Sequence, residues 1–294
     1  MKSGFITIVG RPNAGKSTLL NRITGEKIAA VSAKPQTTRN SIRGIVTDNE
    51  CQMVFIDTPG IHNPKNKLGK FMIKEVDESV KSVDVIVMMV DVNDKPENNL
   101  SIAESVKRQG VPVILAINKI DSNAKEKILE IISVLSKDFE FDEIIPISAK
   151  TGDGVDLVVS EIKKRLTDGP MYFSEDYITD QPEKQIVSEI IREKALWCLD
   201  KEIPHGIAID IEQFKEQPNG LIKITASIYC EKKSHKGIII GKQGQMLKKI
   251  GELARHDIEK FLDTKVFLEL WVKIKEDWRN SDFMLKNFGF NKQD

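Results

Sequence analysis

Gly10-Arg11-Pro12-Asn13-Ala14-Gly15-Lys16-Ser17 fits the pattern GxxxxGK[ST], and its setting matters as much as the match. The apolar run at residues 5–9 reads as a strand leading into it, and residues 17–24 read as a helix leading out. Glycines in such a loop let successive backbone N–H groups curl around a β-phosphate at a helix N-terminus, where unpaired donors and the helix dipole favour an anion. In that arrangement Lys16 reaches the β- and γ-oxygens and the Ser17 hydroxyl ligates magnesium. Thr18, next on the helix, completes the nucleotide-facing set.

Outward from this loop, further short motifs sit at strand ends. Asp57-Thr58-Pro59-Gly60 follows the apolar residues 53–56, so the Asp57 carboxylate emerges at a strand end where it can hold magnesium through water, and Gly60 can offer its N–H to a γ-phosphate. Asn118-Lys119-Ile120-Asp121 closes the run at 111–117; a carboxylate there accepts two hydrogen bonds from the N1–H and exocyclic amine of guanine, a donor pair adenine lacks. Ser148-Ala149-Lys150 ends the next strand and supplies a backbone N–H for the guanine O6. Each tetrapeptide alone is also an ordinary turn or helix entry. Their order after the phosphate loop points to one ligand, GTP or GDP with Mg2+.

These motifs lie in a segment, residues 4–166, where β-branched runs alternate with charged stretches of helical period. That alternation predicts a mostly parallel sheet covered by helices, with strands at 5–9, 83–92, 111–117 and 143–147. Residues 41–47 and 52–56 are too close for a helical crossover, so one strand pair is antiparallel and the sheet is mixed. Residues 168–183, punctuated by Gly169, Pro170 and Pro182, read as a linker after a domain spanning 1–167. Beyond it come a helix at 184–199, strands at 208–213 and 221–229, a helix pair, and a strand at 265–274: an α+β domain over 184–275, followed by a tail at 276–294.

Composition limits the alternatives. With 294 residues, two domains are expected, and 40% hydrophobic with 30% charged residues is the balance of a folded globular chain. Lys and Arg number 44 against 44 Asp and Glu, so any attraction to nucleic acid or anionic lipid must be local. Cys51, Cys198 and Cys230 lack CxxC spacing, which argues against a disulfide framework or zinc site and fits a reducing cytoplasm. The apolar run beginning at Phe5 leaves no room for a cleavable export signal, and runs such as 85–92 fall far short of the roughly 20 residues of a membrane helix.

The local charge is found at Lys232, Lys233, Lys236, Lys242, Lys248 and Lys249, a stretch without a carboxylate. Inside it, Gly241-Lys242-Gln243-Gly244 is a GxxG turn before an amphipathic helix whose apolar face is Leu247, Ile250, Ala254, Ile258 and Phe261, with Lys248, Lys249 and Arg255 off that face. Such a turn lets backbone approach nucleotide phosphates closely, as in KH domains, whose grooves read about four single-stranded nucleotides. The order helix, strand, strand, GxxG helix pair, strand is that of a type II KH domain. RNA is therefore the expected partner, through Lys236, Gly241, Lys242, Gln243, Gly244, Lys248 and Lys249.

The nucleotide motifs resemble those of the translation-factor-related GTPases of the TrmE-Era-EngA-like group, with Gln36-Thr37-Thr38-Arg39 where that group keeps its first switch. Thr38 is the candidate second magnesium hydroxyl, and Thr37 the neighbouring alternative. Ile61 stands where Ras-like proteins carry a water-orienting glutamine, which predicts intrinsic hydrolysis no faster than about 10⁻⁴ per second. Asn13 resembles the asparagine by which potassium-stimulated members bind K+ beside the phosphates, or it braces the loop; His62 is a further water-orienting candidate. The resemblance thus implies Lys16, Asn13, Thr38 and Gly60 as the hydrolytic set. With the KH-like half, Pro204-His205 and the tail from Trp278 to Gly289, nearly the whole chain resembles the Era family of bacterial ribosome-assembly GTPases. That implies binding at the 3′ end of small-subunit ribosomal RNA, maturation of the 30S subunit, a monomer, and a cytoplasmic pool partly peripheral on the membrane. Gln243 departs from the glycine or basic residue common in KH loops. The aromatic tail either caps the RNA groove or covers the domain core. A constitutive RNA-binding module with a vestigial nucleotide domain, and a membrane-acting GTPase whose lysine run meets anionic lipid, are the rival readings.

Overall fold

The computed structural model describes residues 1–34, 36–60, 64, 66–122 and 125–290. The chain divides into two units, and the division does not follow chain order: Met1–Ala29, Thr38–Asn63 and Met72–Asp180 form the first, while Ala30–Thr37, Pro64–Phe71 and Gln181–Asp294 form the second.

In the first unit, β1 (Lys2–Gly10), α1 (Lys16–Thr24), β2 (Ile42–Thr47), β3 (Cys51–Asp57), β4 (Val85–Asp91), α3 (Leu100–Lys107), β5 (Val113–Asn118), α4 (Lys125–Leu135), β6 (Glu143–Ile147) and α5 (Val155–Arg165) build a six-stranded sheet; α2 (Lys67–Ser79) contributes from Met72 onward. The strand order is β2-β3-β1-β4-β5-β6. Only β2 and β3 run antiparallel, the pair predicted from their short connection. Strand periodicity explains why helices cover both faces: Val85, Val87, Met89, Ile114 and Ala116 join α1 and α5 in one core, while the alternate residues Ile86, Met88, Val90, Leu115 and Ile117 join α3 and α4 in the other. A residue fully buried on either face must be apolar, hence the uninterrupted runs. All parallel strands end at the same edge, and β1, β3, β5 and β6 there lead into the four nucleotide motifs.

Residues 168–180 carry no helix or strand, yet they are tied to the first unit. The Gln52 side chain, fully buried, donates to the Phe173 carbonyl at 2.8 Å and accepts from the Tyr172 and Phe173 N–H groups at 2.7 and 3.0 Å. The Ile45 N–H donates to the Ile178 carbonyl at 2.7 Å, so this segment closes the open edge of β2.

The second unit contains α6 (Glu183–Cys198), β7 (Ala208–Glu216), β8 (Ile222–Cys230), α7 (Lys233–Ile240), α8 (Gln245–Leu262), β9 (Val266–Ile274) and a short α9 (Asp282–Asn287). β7 and β8 are antiparallel, β8 and β9 parallel. Ile224, Ala226, Ile228 and Val272 pack with Val187 and Ile191 of α6 and with Ile250, Ala254 and Ile258 of α8, the stripe expected from helical spacing. β7 runs past the predicted end at 213 because a bulge between Ile211 and Gln213 shifts the register and pairing resumes to Glu216. In the tail, Trp278 is buried, its Nε1 donates to the Gly206 carbonyl at 2.9 Å, and Phe288 lies 5.0 Å from the Tyr229 ring. The described part of the tail thus covers this unit.

Candidate functional site

The phosphate loop is held in shape by close contacts that exclude side chains. A Cβ on Gly60 would lie 2.7 Å from the Pro12 backbone, so Asp57-Thr58-Pro59-Gly60 can pass against the loop only as glycine. Asn13 adopts a left-handed φ of 65° at the loop crest, and Arg11 reaches the Asp94 carboxylate at 3.4 Å. Thr58 donates to the Ile8 carbonyl at 2.8 Å, anchoring the turn to β1. Ala14 is buried, and Thr18 is half-buried in the first turn of α1.

Lys16 is buried and donates to the Gly10 and Arg11 carbonyls, both at 3.1 Å. Burial pushes its ammonium down to about 8, and the Asp57 carboxylate pulls the other way. Asp57, also buried, is raised by desolvation and held back by Lys16, the Ser17 and Thr38 hydroxyls and the Thr58 N–H. Ser17 Oγ lies 2.7 Å from Thr38 Oγ1 and 2.6 Å from Asp57 Oδ2, and Thr38 Oγ1 is 3.2 Å from the same carboxylate oxygen. Three hard oxygens thus converge beside a buried ammonium. Asp57 Oδ1 is buried and has no hydrogen-bond partner among the described residues. Two hydroxyls and one carboxylate, one of whose oxygens is unsatisfied, fit Mg2+, which keeps several waters and takes phosphate oxygens as its other ligands. Among the described residues there is no cluster of three His, Cys, Asp or Glu side chains for a transition metal. Of the switch pair, Thr38 belongs to this group of oxygens, while the Thr37 hydroxyl donates to the Lys34 carbonyl at 2.6 Å. The candidates Ile61 and His62 lie outside the described residues.

The base-reading motifs are braced from beneath. Asn118, buried at the end of β5, donates to the Ala14 carbonyl at 2.8 Å and accepts from the Ala149 N–H at 2.9 Å, so one side chain links the phosphate loop to the Ser148-Ala149-Lys150 turn. The Ser148 hydroxyl donates to Asp121 Oδ1 at 2.8 Å and sets the carboxylate plane. Lys119, with a left-handed φ of 71°, pairs with Asp91 at 2.5 Å. Arg22 of α1 donates to the Ala149 and Lys150 carbonyls. The supports Asp91 and Arg22 escaped sequence reading, since nothing local to either residue signals a partner so far along the chain.

In the second unit, α7 ends at Gly241, whose φ of 74° and ψ of 177° suit glycine alone; a Cβ there would lie 2.6 Å from the Met246 side chain. Gln243 is left-handed at φ 52°, and Gly244 begins α8 at φ 80°. Lys242, Gln243, Lys248 and Lys249 are exposed and Lys236 is half-buried. Lys248 is 3.9 Å from Glu252, which leaves its charge largely solvated.

Two families match the chain: one described as 50S ribosome-binding GTPase over residues 5–119, and the KH domain over residues 202–279. GTPase Era of Ruminiclostridium cellulolyticum is 57% identical over 98% of this chain and 97% of its own, and GTPase Era of Clostridium kluyveri is 55% identical over 99% of both. A crystal structure of an Aquifex aeolicus Era variant bound to GDP and aluminium fluoride superposes with a TM-score of 0.94 at 40% identity, covering 99% of this chain and 100% of that one. A structure of Era with MgGDPNP and nucleotides 1506–1542 of 16S ribosomal RNA gives the same score, identity and coverage.

Proposed function

The chain belongs to the Era family of GTPases, and from that membership we propose that it is a GTP-hydrolysing switch that binds ribosomal RNA near the 3′ end of the small-subunit RNA and serves maturation of that subunit. The observation that carries this reading is the full-length likeness to an Era structure holding MgGDPNP and a 16S fragment together, in a chain with both a braced nucleotide site and an exposed GxxG lysine turn.

In the proposed site, the phosphate-loop N–H groups at the start of α1 and the Lys16 ammonium bind the β- and γ-oxygens, and Gly60 offers its N–H to the γ-phosphate. Ser17 and Thr38 hold Mg2+ directly and Asp57 through water; the ion, when bound, neutralises charge that develops on the phosphates. Asp121 accepts from guanine N1–H and its amine. With Ile61 after Gly60, no glutamine orients the water, so turnover is slow until assisted, and K+ held at Asn13 is the proposed aid. RNA phosphates run against Gly241 and Gly244, with Lys236, Lys242, Lys248 and Lys249 around them.

Gly241→Asp tests the RNA site. It sets a carboxylate against phosphate and forces a Cβ into Met246, so affinity for an oligonucleotide of the 16S 3′ end should fall at least about tenfold while GTP hydrolysis continues. Unchanged RNA affinity would move the RNA site elsewhere. Liposome binding that survives excess RNA would instead favour a membrane-acting GTPase.

A further inference from the structure

Arg22 stands in the last turn of α1, where a cation ordinarily offsets the helix dipole. Here its donors are engaged elsewhere: Nε donates to the Ala149 carbonyl at 3.4 Å and Nη2 to the Lys150 carbonyl, 127 and 128 residues along the chain. A guanidinium is planar and its donors leave it in fixed directions, so a grip on two successive carbonyls sets the backbone between them. The rest of the turn is held from within. The Gly152 N–H donates to the Ser148 carbonyl and the Ser148 N–H to the Asp153 carbonyl, both at 2.8 Å, and the Thr151 N–H donates to Ser148 Oγ at 3.2 Å. The Ala149 N–H donates to Asn118 Oδ1 at 2.9 Å. All of these residues belong to the first unit.

In a planar trans peptide the carbonyl and the following N–H point opposite ways. With the Ala149 carbonyl turned onto Arg22, the Lys150 N–H is turned away from α1. Of the two N–H groups this turn could give to a base, that of Ala149 is spent on Asn118, which leaves that of Lys150. The second gripped carbonyl, that of Lys150, belongs to the peptide whose other end meets Ser148 Oγ, and the same hydroxyl donates to Asp121 Oδ1 at 2.8 Å. We infer that Arg22 is a positioning residue for guanine recognition: by fixing the Ala149–Lys150 peptide it aims the Lys150 N–H at the guanine O6. The inference rests on the reading of Asp121 and Ser148-Ala149-Lys150 as the base site and is independent of the RNA reading. It gives the far end of the helix that starts at the phosphate loop a part in telling guanine from adenine, whose C6 carries an amine in place of the oxygen.

The test uses the full chain, with affinities measured for GDP, 6-thio-GDP and ADP in the presence of magnesium at near-neutral pH. 6-Thio-GDP keeps the N1–H and the amine that Asp121 would meet but places sulfur, a poor acceptor, where guanine has O6. The unaltered chain should bind GDP at least about fivefold more tightly than 6-thio-GDP. Arg22→Ala should weaken GDP about fivefold and 6-thio-GDP by less than about twofold, so that the two affinities converge. Arg22→Lys keeps a cationic donor without the fork and should restore part of the loss. Parallel losses for GDP and 6-thio-GDP would mean an arginine that merely steadies the loop, and no loss for either would equally overturn the inference. Arg22 is exposed, so the variants should fold; if Arg22→Ala does not, the same convergence is required of Arg22→Gln, and its absence overturns the inference. ADP separates the premises: an unaltered chain that binds ADP as tightly as GDP has no guanine site, and the inference falls with that reading, whereas a clear preference for GDP with an unchanged ratio of GDP to 6-thio-GDP in Arg22→Ala removes only Arg22.

Discussion

Asp121 and Lys16 carry the two halves of nucleotide recognition in the proposed site. Asp121 owes its orientation to the Ser148 hydroxyl at 2.8 Å, and an amide in its place offers a donor where guanine also presents donors. Asp121→Asn should therefore lower GTP affinity by roughly a hundredfold and raise that for xanthosine triphosphate, whose 2-oxo group accepts. Competition binding with the two nucleotides checks this; a retained preference for GTP contradicts the pairing. Lys16 predicts a proton linkage. Its ammonium is pushed down to about 8 in the folded chain, so near that pH half the molecules lack the charge that phosphate requires. Nucleotide binding at about pH 8 should take up about half a proton, falling toward zero near pH 7, and apparent affinity should drop as pH rises through that value. Calorimetry in two buffers of different ionisation enthalpy measures the uptake. Equal heats at about pH 8 would mean the lysine stays charged. The same depressed value means the unfolded chain binds more protons between about pH 8 and the ordinary lysine range, so stability of the nucleotide-free chain rises with pH there.

Among the elements, the segment 168–180 departs most from what its sequence suggests. Gly169, Pro170 and the absence of period read as a loose linker, and no helix or strand forms, yet a buried Gln52 makes three hydrogen bonds to its backbone. Gln52→Leu keeps the volume and removes the partners, and should cost about 1–3 kcal/mol of unfolding free energy. Hydrogen exchange should show the Tyr172 and Phe173 amides losing protection; unchanged protection would mean the segment is held by other contacts. The sheet itself was legible because alternation and length identify buried strands, and because Asp57 and Asn118 sit where a strand must end for its motif to face a ligand. The GxxG turn was legible from Gly241 and Gly244 in a run of lysines. Gln52 was not: it acts on backbone 121 residues away at Phe173, and neither its residue type nor its neighbours encode such a partner.

At the level of the whole molecule, a chain of zero formal charge concentrates lysines around one turn, and lends two early segments, Ala30–Thr37 and Pro64–Phe71, to its second unit. Within that unit Lys67 pairs with Asp282 at 2.5 Å and Phe71 meets Phe290 at 6.0 Å. In the proposed switch, the nucleotide held by the GTPase domain is reported through RNA affinity. The most direct test is the affinity for an oligonucleotide of the small-subunit RNA 3′ end, against a scrambled control, with MgGDPNP and then with GDP at one salt concentration. The account predicts sequence-selective binding at least about tenfold tighter with MgGDPNP. Equal affinity in both nucleotide states would contradict it, leaving a KH domain that binds RNA without regard to the GTPase attached to it.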